Sequence, residues 1–322
     1  MKMLDVYRFA TNHLAPALDL LLASRLKKGK EDPARLDERK GQTALLRPAG
    51  PLVYLHAASV GESQAAMILI HRLLAAYPAL TILVTSGTIT SAATLAKNLP
   101  PRALHQFAPL DRLEWVRRFL NHWRPDAVLW MESELWPNML GEIKSRSIPA
   151  ALINARLSDK SYKRWRLFKS SAADVLSAFS TVLAQTQKDA LRFKALGVDN
   201  VIVTDNIKYS AHPLPADDAQ LHTLQTSLGD RPLWLYASTH EGEELLAARV
   251  HARLKTTIPD LLTIIVPRHP SRRESILKTL SAYDLKLQMR TDAKITPAST
   301  TDLYIADTLG ELGLFYRLAP VA

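Results

Sequence analysis

The sequence predicts an α/β protein with two doubly wound, Rossmann-like domains facing a cleft, the second of them incomplete. Three observations lead to two such domains. Short apolar β-type runs alternate with helical periodicity from residue 51 onward, a proline- and aspartate-rich segment breaks the alternation near residue 210, and the alternation then resumes.

In the first set the candidate strands are PLVYLHAA (51–58), TILVTSG (81–87), AVLWME (127–132), AALINAR (150–156), STVLAQ (180–185) and NVIVTDNIK (200–208). Helical stretches begin near Glu62, Thr90, Leu113, Pro137, Tyr162 and Gln187. The segment SAHPLPADDA reads as a linker. The second set has strands PLWLYAST (232–239), LLTIIVPRH (261–269), LKLQMRT (285–291) and TDLYIAD (301–307), with helices near 241–257 and 272–282. The expected organisation is an amino-terminal membrane-associated helix in 1–40, a Rossmann-like domain in 41–209, a linker in 210–220 and a second Rossmann-like domain in 221–322. Ligands of such domains meet the carboxyl ends of the strands.

Composition narrows the chemistry. Of 322 residues 47% are apolar, enough for a large core in each domain, and the formal charge of +10 points to an anionic partner. The absence of cysteine excludes disulfides, thiolate metal sites and cysteine nucleophiles. Leu14, Leu18, Leu20, Leu21 and Leu22 precede the basic cluster Arg25, Lys27, Lys28 and Lys30, a membrane-contact pattern. Asp5, Arg8 and Asp19 interrupt the apolar run short of the ~18 residues of a clear span. A helix lying at the interface fits, as does an amphipathic helix packed on its own domain.

No GxGxxG or GxxxxGK run follows a strand, the run from His240 to Glu244 lacks a second histidine, and no Asp-x-Asp pair ends a strand. A metal site is not expected. HAASVGES places Glu62 at the junction of the first strand and its helix. With Ser59 it forms a capping box, and the same position presents a carboxylate to a ligand. MESELWPN puts Glu132 and Glu134 at same-face spacing after a buried run. TSGT offers small side chains and backbone donors, DNIK ends the first domain with Lys208, and VPRHP places Arg268 after a strand of the second. Residues 155–169 carry six basic side chains against one acid, with Tyr162, Trp165 and Phe168 among them. That stretch suits nucleic acid, lipid phosphates, or a helix with an aromatic core face and a solvated basic face.

HAASVGE, TSGT, MESELWPN, NARLS, DNIKY, AST, VPRHP and DTLGEL, in this order and over most of the chain, resemble the bacterial Kdo transferase family. The resemblance implies a GT-B fold and transfer of 3-deoxy-D-manno-octulosonic acid (Kdo) from CMP-Kdo to a lipid A precursor, lipid IVA, at the cytoplasmic face of the inner membrane. It implies Glu62 as general base, Glu132 and Lys208 as transition-state stabilisers, and Pro267, Arg268, Leu309, Gly310 and Glu311 as donor contacts. No cofactor beyond the donor and no nucleic acid partner are implied. The family pattern continues past DTLGEL into a glycine-rich stretch and an Asn/Glu pair, so the second domain reads as incomplete. Two other classes stand beside this one: a lipid-binding remnant without activity, and a nucleotide-sugar epimerase of the same architecture.

Overall fold

The computed structural model describes residues 3–13, 15–210, 213–292 and 296–322. Leu14 of the apolar run and Ala211 and His212 of the linker lie outside the described residues. The chain divides into two compact units, Met1–Ala211 and His212–Ala322.

The first unit opens with α1 (Met3–His13), α2 (Ala15–Lys27) and a 3-10 stretch, Pro33–Lys40. The alternation follows as β1 (Leu52–His56), α3 (Val60–Ala76), β2 (Thr81–Ser86), α4 (Ile89–Asn98), β3 (Ala103–Phe107), α5 (Leu113–Trp123), β4 (Ala127–Met131) and α6 (Pro137–Ser145). It ends with β5 (Ala150–Ala155), α7 (Asp159–Leu167), α8 (Lys169–Leu176), β6 (Thr181–Ala184), α9 (Gln187–Ala195) and β7 (Val201–Val203). All seven strands are parallel, in the order β3-β2-β1-β4-β5-β6-β7.

A parallel sheet is covered on both faces, which is why its strands are apolar throughout. Tyr54, Trp130, Phe119 and Trp123 fill one face, and Leu55, Val84, Ile70 and Met131 the other. Ala65 and Ala66 are fully buried and keep α3 close to the second face.

β3 is absent from the sequence expectation because His105 and Gln106 break its apolar run. The strand survives at the sheet edge, where it pairs only with β2, and Gln106 is buried because its side chain accepts the Trp123 indole N–H at 2.6 Å.

The second unit holds α10 (Asp218–Leu228), β8 (Leu233–Thr239), α11 (Glu243–Lys255), β9 (Leu262–Pro267), α12 (Arg273–Leu280), β10 (Leu287–Met289), β11 (Leu303–Ile305) and α13 (Leu312–Leu318). Its parallel sheet runs β10-β11-β9-β8, so the carboxyl ends of β9 and β11 are neighbours. The paired aspartates read as linker chemistry start α10 instead, with Asp217 accepting the Gln220 N–H at 3.0 Å.

Leu4 and Leu22 are buried, while Val6, Phe9, Leu20 and Leu21 stay exposed. Among the described residues no helix is long and apolar enough to cross a membrane. α1 is fastened by Tyr7, whose hydroxyl donates to Asp111 at 2.9 Å. The same carboxylate caps α6 by accepting from the Asn138 and Met139 amides at 3.0 and 2.8 Å. Tyr7→Phe removes one of these bonds and is expected to cost about 1–2 kcal/mol in urea unfolding. An unchanged midpoint would mean that Tyr7 does not fasten α1 to the body.

Candidate active site

The order of the first sheet places β1 between β2 and β4, so the chain leaves β1 in one direction and β4 in the other. This is the topological switch point of a doubly wound sheet, where the strand ends leave room for a ligand. β1 delivers HAASVGES to it and β4 delivers MESELWPN.

Ser59 is the N-cap of α3, and Glu62 lies one turn in. The Glu62 amide donates to Ser59 Oγ at 3.3 Å, and Ser59 Oγ donates to Glu62 Oε1 at 2.8 Å. The Ala58 amide donates to Oε2 at 2.9 Å. This is a capping box in which the carboxylate reaches back to the turn before the helix. It is also buried, with 6% of the residue exposed. Burial pushes its pKa up to about 7 against these hydrogen bonds, with the Glu132 and Glu134 carboxylates adding to the rise. The cap orients the group, and the burial makes it basic enough to take a proton near neutrality.

Glu132 follows β4 with a left-handed backbone (φ 57°), a strained geometry for a glutamate. It is buried and accepts from Arg156 Nε at 2.8 Å. Glu134 diverges from it toward the buried His56, with Oε2 3.9 Å from Nε2, too long for a hydrogen bond but close enough to hold the carboxyl below its usual range. Burial lowers the pKa of the His56 ring, against the pull of the Glu134 carboxylate.

Lys208 sits in a 3-10 turn, Ile207–Ser210, and its ammonium lies over the first turn of α3: a Cβ built on Gly61 would be 3.5 Å from Nζ. The turn is docked by Asn154, whose side-chain oxygen accepts the Ile207 amide at 3.1 Å. Among the described residues the Lys208 ammonium makes no ion pair. Glu62 and Lys208 thus converge on the start of α3, and Glu132 ends the adjacent strand β4. TSGT packs beside them, with the Gly87 amide donating to Ala58 O at 3.0 Å.

The residue types of Arg156 and Asn154 do not mark them in the sequence: Arg156 is one of six basic residues in 155–169, and only the NARLS motif points to the pair. In that stretch α7 turns Tyr162 and Trp165 toward the core and leaves Lys160, Lys163, Arg164 and Arg166 in solvent.

In the second unit Pro267 is buried as the last residue of β9, and Arg268 follows it, exposed. Only its backbone is engaged, through a 3.0 Å bond to Thr239 O, and among the described residues its guanidinium has no partner. The neighbouring arginines are committed: Arg272 to Glu244 at 2.7 Å and Arg273 to Asp307 at 2.7 Å. Leu309 is 83% exposed and Gly310 has φ +89°. Glu311 is tied to Arg290 at 2.6 Å, and that contact helps hold its carboxyl low despite burial.

A family model described as 3-deoxy-D-manno-octulosonic-acid transferase (kdotransferase) matches residues 34–211, more than half of the chain. The chain belongs to the Kdo transferase family. The 3-deoxy-D-manno-octulosonic acid transferase of Rickettsia bellii is 36% identical over 320 residues, 99% of this chain and 76% of that one. The protein of the same name from Rickettsia felis is 37% identical over 292 residues, covering 89% of this chain but 62% of the relative. The chain therefore spans between 62% and 76% of the length of these two relatives.

A glycosyltransferase from Rickettsia africae matches with a TM-score of 0.53 at 14% identity, over 84% of this chain and 72% of that one. A putative UDP-N-acetylglucosamine 2-epimerase from Listeria monocytogenes matches with 0.53 at 15% identity, over 85% and 74%. These likenesses show the fold, that of the GT-B glycosyltransferases and epimerases, with parallel-sheet units as the sequence predicts.

The raised pKa of Glu62 has a consequence for stability. From about pH 4.5 to about 7 the unfolded chain releases a proton that the folded chain keeps, so stability falls as pH rises through that window. Glu62→Gln removes this contribution. The variant is expected to be more stable than the parent by about 1–3 kcal/mol at about pH 8, with the difference gone by about pH 4, in urea unfolding at the two pH values. A Glu62→Gln protein less stable than the parent at the higher pH contradicts the buried carboxylate.

Proposed function

We propose that this Kdo transferase moves Kdo from CMP-Kdo to the lipid A precursor lipid IVA, with inversion and without a metal, at the cytoplasmic face of the inner membrane. The observation that carries the reading is the Glu62 carboxylate, buried at the switch point and with a pKa near 7. A sugar hydroxyl is a poor nucleophile, so a base within hydrogen-bond reach must accept its proton as the glycosidic bond forms. CMP departs as a stable phosphate anion and needs no acid. One carboxylate is therefore enough, unlike the pair of a glycoside hydrolase, and direct displacement inverts the anomeric carbon.

In the transition state the anomeric carbon becomes cationic. The Glu132 carboxylate, steadied by Arg156, opposes that charge, and the Lys208 ammonium suits the carboxylate that Kdo itself carries. The Arg268 guanidinium, without a partner among the described residues, suits the phosphate of the donor. Membrane association is supported by exposed Phe9, Leu20 and Leu21 near Arg25, Lys27 and Lys28, and by exposed Leu167 and Phe168 beside the basic face of α7.

In the full protein, Glu62→Ala is expected to lower transfer from CMP-Kdo to lipid IVA by about 10³-fold, with excess EDTA leaving the parent rate unchanged. Full transfer by the variant refutes the base, and loss of the parent's rate in EDTA refutes metal independence. Replacing Lys163, Arg164 and Arg166 together by Glu is expected to weaken co-sedimentation with anionic vesicles by at least about tenfold. Unchanged sedimentation removes α7 from the membrane contact.

A further inference from the structure

Glu31 precedes the 3-10 stretch Pro33–Lys40 and Arg39 lies within it, and both side chains are buried, at 4% and 3% exposed. Arg39 Nε donates to Glu31 Oε2 at 2.8 Å. Its terminal nitrogens then donate to three backbone carbonyls at the carboxyl edge of the sheet: Gly87 at 2.7 Å, Ala108 at 3.0 Å and Ser86 at 3.5 Å. The guanidinium also stands over the Phe107 ring, 4.7 Å from its centroid. A buried arginine that meets three carbonyls from two different strand ends fixes where those ends lie.

One of those ends reaches Glu62. Gly87, whose carbonyl Arg39 holds, donates its amide to Ala58 O at 3.0 Å, and the Ala58 amide donates to Glu62 Oε2 at 2.9 Å. The approach is close: a Cβ on Gly87 would stand 3.0 Å from Ala58 O, so the loop and the turn before α3 move together. In the other direction Glu31 Oε1 accepts from Arg25 Nε at 2.6 Å, in the last turn of α2. An unbroken series of hydrogen bonds therefore runs from α2 through Glu31, Arg39, Gly87 and Ala58 to the carboxylate of Glu62.

We propose that Arg39 is a positioning residue for Glu62, holding its carboxylate through the 85–88 loop, and that Glu31 ties this support to the amino-terminal helices. The inference rests on the reading of Glu62 as the base. Among the described residues Arg39 makes no hydrogen bond or ion pair with Glu62. Its effect passes through the backbone of Gly87 and Ala58, and the fixed loop also keeps water from the buried carboxylate. Lysine retains the charge, but its three donors sit on one nitrogen and cannot span Glu31 and carbonyls from two strand ends.

The test compares Arg39→Lys, Gly87→Ala and Glu62→Gln with the parent in the full protein. Each is followed by transfer kinetics and by ¹³C titration of the Glu62 carboxyl, assigned by its disappearance in Glu62→Gln. For Arg39→Lys, kcat is expected to fall at least about tenfold while both KM values stay within about twofold. The Glu62 midpoint is expected to drop by at least about half a unit as water reaches the carboxylate. Gly87→Ala presses on Ala58 O from the other side and is expected to lower kcat and move the midpoint as well.

An Arg39→Lys protein that keeps both its kcat and the Glu62 midpoint overturns the proposal. If that variant does not fold, an unmoved midpoint in Gly87→Ala does so. Glu62→Gln with full transfer overturns the assignment of the base itself. Inactive Glu62→Gln beside an unaffected Arg39→Lys overturns the positioning role alone.

Discussion

Burying a carboxylate at the mouth of a parallel sheet is costly, and the first unit is organised around offsetting that cost without cancelling it. Glu62 keeps two hydrogen bonds, from Ala58 and Ser59, and the favourable end of the α3 dipole. Those contacts orient the carboxylate but do not return its pKa to that of a solvated glutamate. The surplus of burial over compensation leaves the side chain with a pKa raised to about 7. It depends on β1 lying between β2 and β4, on the turn from His56 to Ser59, and on the loop at Gly87 that packs against Ala58.

The same edge of the sheet stores backbone strain. Glu132, Asn154 and Asp205 follow or end β4, β5 and β7 with φ of 57°, 53° and 60°, and Ser238, in β8 of the second unit, has φ 62°. Each such residue costs on the order of 1–3 kcal/mol and persists where surrounding contacts over-determine it. Glu132 is held by Arg156, and Asn154 is held by the Ile207 amide that its side chain accepts. Arg124 and Ser147, with φ of 41° and 52°, take the same backbone at the opposite edge, in the turns that lead into β4 and β5, so the strain is shared by both ends of the sheet.

Charge is apportioned in a similar way. The first unit spends Arg39 and Arg156 on holding carboxylates and carbonyls, and the second spends Arg272, Arg273 and Arg290 on Glu244, Asp307 and Glu311. Lys208, in the 3-10 turn that follows β7, and Arg268, directly after β9, are left without such partners among the described residues. A cation without an internal partner at such an edge is available to an anion from outside.

Sequence by itself determined the alternation of strand and helix, the two-unit organisation and the motifs at the strand ends, because apolar periodicity and caps are local properties of neighbouring residues. It missed β3 because His105 and Gln106 look polar until Trp123 and the sheet edge are in place, and it missed α10 because an aspartate pair caps a helix as readily as it marks a linker. It left Glu62 poised between a cap and a base, since Ser59 and Glu62 have the same spacing in both. Only the tertiary structure decided that the capping carboxylate is also buried, with its pKa raised. Burial, the facing Glu132 and Lys208, and the Arg39 contacts come from segments up to about 150 residues apart in the chain, and no local pattern records them.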